Sequence, residues 1–254
     1  MRAAYKKIAF NAIYAICAIG IVFCVWWGAS VAVGSQFILP DIGATFAALG
    51  ELFVLPKFWT GLGYTLLRCA ASYAISVALA GGLYFLCASF TPVRRVVSPI
   101  VSFLRSLPTM AVSLILAVWA RAAAPVVLGV LVIMPYVYSA LFARNSTIEK
   151  EQLEICRICG ASKAREFATV WMPNAAAALP EILSGALSFN IKVVIAAEIL
   201  MQTARSVGLL MQLASIYLET ATLIALVFVS VVLSVVCELI MKLVLRAALW
   251  KYRD

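Results

Sequence analysis

Histidine is missing altogether from the 254 residues, which removes imidazole metal sites and imidazole general bases from consideration. Charge is scarce: 12% of the residues are Asp, Glu, Lys or Arg, where an ordinary soluble domain carries about 25%. Acidic residues are the scarcest, 11 against 20 basic. No G-x-x-x-x-G-K-[ST] phosphate loop occurs, so any ATP chemistry belongs to another chain. No polar stretch is long enough to hold a fused catalytic or nucleotide-binding domain. A disulfide framework is also absent. The seven cysteines, at 17, 24, 69, 87, 156, 159 and 237, lie mostly inside apolar runs and read as small apolar side chains. Cys156-x-x-Cys159 has metal or redox spacing but no second pair, so it reads as two small residues on a helix face.

What the chain has in abundance is hydrophobicity. Apolar residues make up 65% of it and the mean hydropathy is +1.06. Crossing about 30 Å of hydrocarbon takes about 20 apolar residues, and six runs are candidates: 8–33, 61–90, 100–120, 124–143, 175–201 and 221–245. An all-α, multi-pass membrane protein with one transmembrane domain over 1–254 is expected. The first run follows Arg2, Lys6 and Lys7 in the manner of a signal peptide. It is too long for a typical signal core and more spans follow, so it is read as a retained helix. Pro108 and Pro180 fall inside or near span ends, where neighbouring helices or water must satisfy the freed carbonyls. Between spans, a short surface helix is expected near 42–52 and a mildly amphipathic segment at 202–220.

Lysine and arginine placement sets the orientation. With the N-terminus in the cytoplasm, the inner segments hold Arg2, Lys6, Lys7, Arg94, Arg95, Arg144, Lys150, Arg157, Lys163, Arg165, Lys242, Arg246, Lys251 and Arg253. The outer segments hold only Lys57, Arg121 and Arg205, while Arg68, Arg105 and Lys192 fall within spans. Both termini and the 144–173 loop are therefore expected in the cytoplasm. The net charge of +9 is then positive-inside bias rather than a nucleic-acid patch, and no basic groove interleaved with aromatics is present.

The 144–173 loop is polar and periodic. Gly160 stands where a helix C-cap needs φ > 0, and Ser162 can N-cap a second helix, with Arg165 where a capping box would want Glu or Gln. Ala164, Phe167, Ala168 and Trp171 then form an apolar stripe. Pro173 biases Met172 out of the helix and is expected to mark a turn into the fifth span.

This loop resembles the cytoplasmic loop of ABC-importer permeases, E-A-A-x3-G-x9-I-x-L-P. Here it reads Glu154-Ile155-Cys156-x3-Gly160-x9-Val170-Trp171-Met172-Pro173, with every spacing kept and the two alanines replaced. Leu39-Pro40, Thr65-Leu66-Leu67-Arg68, Arg105-Ser106-Leu107-Pro108, Trp119, Lys192 to Glu198 and Ile216 to Thr220 are similar to the sulfonate/nitrate/taurine-type permeases. The resemblance implies the type I importer fold. It implies two separate ATP-binding subunits, a second permease chain forming a homodimer, an extracytoplasmic solute-binding protein, and a bacterial inner-membrane location. ATP and magnesium would be bound by the partner ATPase, with no cofactor and no metal in this chain. Glu154, Gly160, Ala161, Ser162, Phe167, Trp171, Met172 and Pro173 would carry the coupling: Glu154 by hydrogen bonds or charge pairing, Gly160 by the bend, Phe167 or Trp171 by packing at the interface. The blander alternative for the same loop is a solvated amphipathic segment, or one lying on lipid headgroups.

Charges inside the membrane are costly and are kept for a reason. Lys192 is the deepest, and Glu198, six residues on, lies on a different helix face. Lys192, Glu198, Arg105 and Pro108 are candidates for the solute path, with Lys192 favouring an anionic or carboxylate-bearing solute. A structural pairing across helices, or snorkelling, is the other reading of Lys192. Helix capping or lipid phosphate binding is the other reading of Arg68 and Arg105. The implied solute is a sulfonate, taurine, nitrate, bicarbonate or a vitamin precursor. The competing function is a stand-alone secondary transporter or channel, which would predict internal repeats with broken helices and paired midplane ions, and no repeat between the halves is seen. An intramembrane enzyme would need a convergent acid or nucleophile set that is absent, and an energy-coupling-factor subunit an arginine-centred loop motif.

Overall fold

Helices account for all the regular structure described. The computed structural model describes residues 2–145, 154–156 and 158–249, with no strand among them. Their order is α1 (Arg2–Val33), α2 (Ile42–Val54), α3 (Pro56–Ser89), α4 (Thr91–Ser106), α5 (Thr109–Trp119), a 3-10 turn (Arg121–Ala123) and α6 (Ala124–Asn145). A helical turn (Lys163–Glu166) and a π turn (Phe167–Trp171) then lead into α7 (Met172–Leu200), α8 (Val207–Ile216) and α9 (Thr220–Ala248). The segments 56–89, 121–144, 167–200 and 220–248 are long and apolar enough to cross a membrane, and the α4–α5 pair makes a fifth if it is one bent span. The first expected span coincides with α1, whose described apolar part is Gly20–Val33. Most of the side chains of residues 2–19 lie outside the described residues.

The span expected at 100–120 is broken at its proline. It is two helices meeting at 92°. Leu107 is extended at φ −65°, ψ 130°, as a residue before proline prefers, and Pro108 has no N–H to continue the ladder. Pro180, by contrast, sits buried within α7, which runs through it.

The described residues fall into two compact units, 1–58 with 210–228 and 59–209 with 229–254. In the first, the Asp41 carboxylate caps α2, accepting from the Ala44 N–H at 2.6 Å. The Trp26 indole donates to the Pro40 carbonyl at 3.1 Å, which holds α1 to the connection before α2. Phe46 meets Phe228 edge-on at 6.2 Å.

The second unit is built on α3, α6 and α7. Tyr84, Ile133, Val137, Leu141, Ala175 and Ala186 are buried together at its core. Membrane helices gain no hydrophobic drive from one another and rely on close packing and hydrogen bonds. Both occur at one buried node. The Asn190 amide donates to the Cys69 carbonyl at 2.8 Å and accepts from the Ser72 hydroxyl at 2.9 Å. Gly129 faces them so closely that a Cβ there would lie 2.8 Å from Ser72 Cβ. Half of α7's most apolar stretch is buried, against 17% for α9.

Candidate functional site: the polar loop and the membrane charges

The loop is shaped by its glycine. Cys159 N–H donates to the Ile155 carbonyl at 3.0 Å and Ala161 N–H to the Cys156 carbonyl at 2.9 Å. The second is the six-to-one bond of a Schellman cap, closed by Gly160 at φ +69°, a conformation side chains resist. Ser162 caps the next turn as expected, its hydroxyl accepting from the Arg165 N–H at 3.3 Å. Residues 146–153 and Arg157 lie outside the described residues, so the loop's early periodicity is unseen, as is the side chain of Ala164 in the apolar stripe.

The turn expected at Met172–Pro173 is not there. Met172 is helical at φ −66°, ψ −48°, and its N–H bonds back to the Phe167 carbonyl. The chain passes into α7 through the π turn, with Pro173 in the first turn of the helix, where a missing N–H costs no bond.

That junction is bolted to the bundle by aromatic rings. Phe167 is half-buried, edge-on to Phe85 at 4.9 Å and 6.0 Å from Tyr84. The Tyr84 hydroxyl donates to the Trp171 carbonyl at 3.3 Å, and Trp171 meets Phe142 at 6.5 Å. The Trp171 indole also donates to Glu166 at 3.4 Å. Phe167 and Trp171 therefore join the loop to α3 and α6 of their own chain. Glu154, Ile155, Ile158, Ser162 and Met172 remain exposed, and Ala161 is half-exposed. Cys156 and Cys159 are free thiols, and no group of three or more metal-ligating side chains occurs among the described residues.

The four candidate path residues separate. Lys192 is exposed on a stripe of α7 with Phe189 and Ala196, at positions i, i+3 and i+7, while Ile191, Val194, Ile195 and Ala197 are buried behind it. Arg105 is exposed in the last turn of α4, where a cation suits the negative helix end. Pro108 is exposed at the 92° bend.

Glu198 is fully buried and faces away from Lys192. Its carboxylate accepts from Arg68 Nη1 at 2.8 Å, from the Thr65 hydroxyl at 2.8 and 3.1 Å and from the Gly208 N–H at 3.3 Å. Its bonds tie α3, α7 and the first turn of α8 together. Sequence reasoning missed this node, although a signal was present. A carboxylate within a span needs a cation, and Arg68 lies in another span, one helical turn after Thr65. Glu181, not expected to matter, accepts from Lys242 and Arg246, each at 2.5 Å, joining α7 to α9.

The arrangement has a bent span, a glycine-capped loop fixed to the bundle, and an enclosed fifth span. Residues 85–249 match the family described as binding-protein-dependent transport system inner membrane component. The chain belongs to that family. This permease is accordingly a multi-pass membrane transport component and not an enzyme. It is 25% identical over 239 residues to the taurine transport system permease protein TauC of Escherichia coli (strain K12), covering 87% of this chain and 83% of that one. Its fold is similar to a crystal structure of an amino acid ABC transporter, with a TM-score of 0.58 and 18% identity over 81% of this chain and 96% of that one. It is also similar to the MetNI methionine ABC transporter in an inward-facing conformation, with a TM-score of 0.55 and 19% identity over 74% of this chain and 93% of that one.

Proposed function

We propose that this permease is the transmembrane subunit of an ATP-binding-cassette importer, that separate ATPase subunits engage its 154–173 loop from the cytoplasm, and that its solute is a small anion of the sulfonate or taurine kind. Two copies would enclose the path, both termini would face the cytoplasm, and a solute-binding protein would deliver from outside. ATP and magnesium would be held by the partner subunits.

The observation that carries this reading is the loop. Its cap at Gly160 gives it one shape, Phe167 and Trp171 fix it to α3 and α6, and Ile155, Ile158 and Met172 stand exposed beside it. A rigid element with an uncovered apolar face can pass a partner's rigid-body movement into the spans it is fixed to. The solute class is supported by the likeness to TauC and by Lys192. A lysine facing lipid at mid-span costs about 2.5–3.5 kcal/mol. Lys192 has no ion-pair partner among the described residues, so a water-filled path holding an anion suits it.

The test is uptake of labelled taurine into liposomes holding this chain with the ATPase and binding protein encoded beside it. Uptake should require ATP. Lys192→Met should abolish it while the ATPase still binds, and Gly160→Val should uncouple ATP hydrolysis from uptake. Uptake that proceeds without any ATPase subunit would point to a stand-alone transporter and end the importer reading.

A further inference from the structure

The connection from α7 to α8, residues 201–206, is short and held in an unfavourable shape. Gln202 and Arg205 are both in the left-handed region, at φ 48° and 52°, where residues other than glycine are seldom found. The Thr203 hydroxyl is buried without a hydrogen-bond partner, a condition that native structures rarely tolerate. Such local costs persist only where the surroundings over-determine the conformation.

The surroundings here are the Arg68–Glu198–Thr65 node. Arg68 spans the connection: Nη1 holds the Glu198 carboxylate, and the guanidinium donates to the carbonyls of Ala204 at 3.0 Å and Arg205 at 3.4 Å. Thr65 receives the Val207 N–H at 3.0 Å while donating to Glu198. Gly208 lies so close that a Cβ there would overlap the Glu198 Cβ and come within 2.8 Å of the Ile199 nitrogen. The bonds that fix the start of α8 to α3 thus converge on one carboxylate, one hydroxyl and one guanidinium. Between them stands a connection carrying two left-handed residues and an unsatisfied hydroxyl.

We propose that Arg68, Thr65 and Glu198 are positioning residues that form a latch on the 201–206 connection, and that the connection takes a second, relaxed conformation when the latch opens during transport. The latch is a two-state element in the sense that matters for a switch: charge-assisted bonds favour one state and backbone conformation favours the other. The transport role rests on the importer reading above; the latch itself does not.

Limited trypsin digestion of the purified full chain reads the latch directly, by the appearance of the new N-terminus at Ser206. Arg205 is exposed, so cleavage after it reports how often the connection opens. Thr65→Val should speed that cleavage by about tenfold, the factor expected on losing one charge-assisted bond from a local opening equilibrium. Arg68→Met, which loses the ion pair and two bonds to the connection's own carbonyls, should speed it by more than that, with Arg68→Lys between wild type and Arg68→Met. Where the single variants do not elute as folded protein, the double variant Arg68→Met/Glu198→Met removes the pair without leaving a lone buried charge and should show the same acceleration. Wild-type cleavage rates in folded variants overturn the latch. In liposomes with ATPase and binding protein, Thr65→Val should raise ATP hydrolysis in the absence of binding protein about threefold, the shift of a switch biased by a fraction of one bond, while lowering solute moved per ATP. A merely structural role would lower both together, and that result also overturns the proposal. If the wild type shows no hydrolysis stimulated by binding protein, the importer reading fails, and the digestion still decides the latch.

Discussion

Helix α7 makes one glutamate–arginine contact in its first half and another in its last turn, and the two teach that distance is a poor guide to consequence. Glu181 meets Arg246 at 2.5 Å and Lys242 at the same distance, with its side chain 56% exposed. Glu198 meets Arg68 at 2.8 Å with its side chain fully enclosed. The closer contact is the weaker one. Where solvent can replace a partner, an ion pair contributes about 0–1 kcal/mol. Where it cannot, loss of one partner strands the other, at about 3–5 kcal/mol. The backbone differs too: Glu181 joins two helices, whereas Glu198 also holds an N–H in the first turn of α8.

The sharpest way to break this contrast is to remove one arginine at a time. Arg68→Met should lower stability by about 3–5 kcal/mol and Arg246→Met by no more than about 1 kcal/mol, read from unfolding midpoints in the same detergent. Equal losses would mean that burial is not what separates the two pairs. Next in size is Gly208→Ala, whose Cβ overlaps the Glu198 side chain. Overpacking of this kind costs about 1–3 kcal/mol, and the melting temperature should fall well below that of Gly63→Ala, where a Cβ meets nothing within 4 Å. Gly160→Ala should follow, at about 1–2 kcal/mol for forcing a side chain into the left-handed region; its mark is looser protection of the loop in hydrogen exchange. The smallest effect should be that of salt. Raising it from 0.1 to 1 M, which shortens the Debye length from about 10 to about 3 Å, should shrink the Arg246→Met difference and leave the Arg68→Met difference in place.

The same contrast shows why some of the site can be read in the residues and some cannot. Gly160 and Ser162 act within a few residues of themselves, so spacing alone predicts the cap and the turn, and both are found. Pro108 also acts locally, yet spacing understates its effect: a proline with an extended neighbour turns the chain by 92° rather than kinking one span. Spacing overstates Pro173, because the π turn before it lets the helix pass. Phe167 and Trp171 form an apolar stripe by periodicity, but periodicity does not say against what. The rings of Tyr84, Phe85 and Phe142, 25 or more residues away in sequence, take that place. Helical phase alone puts Lys192 and Glu198 on different faces, and one is exposed and the other enclosed.

Composition and periodicity by themselves determined that this is a helical membrane protein, because a bilayer admits few other solutions for a chain this apolar, and local spacing determined the shape of its polar loop. Which charge would be partnered, and which left facing outward, only the tertiary structure decided. Thr65 and Arg68 reach Glu198 across more than a hundred residues of chain. A hydrogen bond depends on an approach of about 3 Å in space, and nothing in the linear order of residues records that approach.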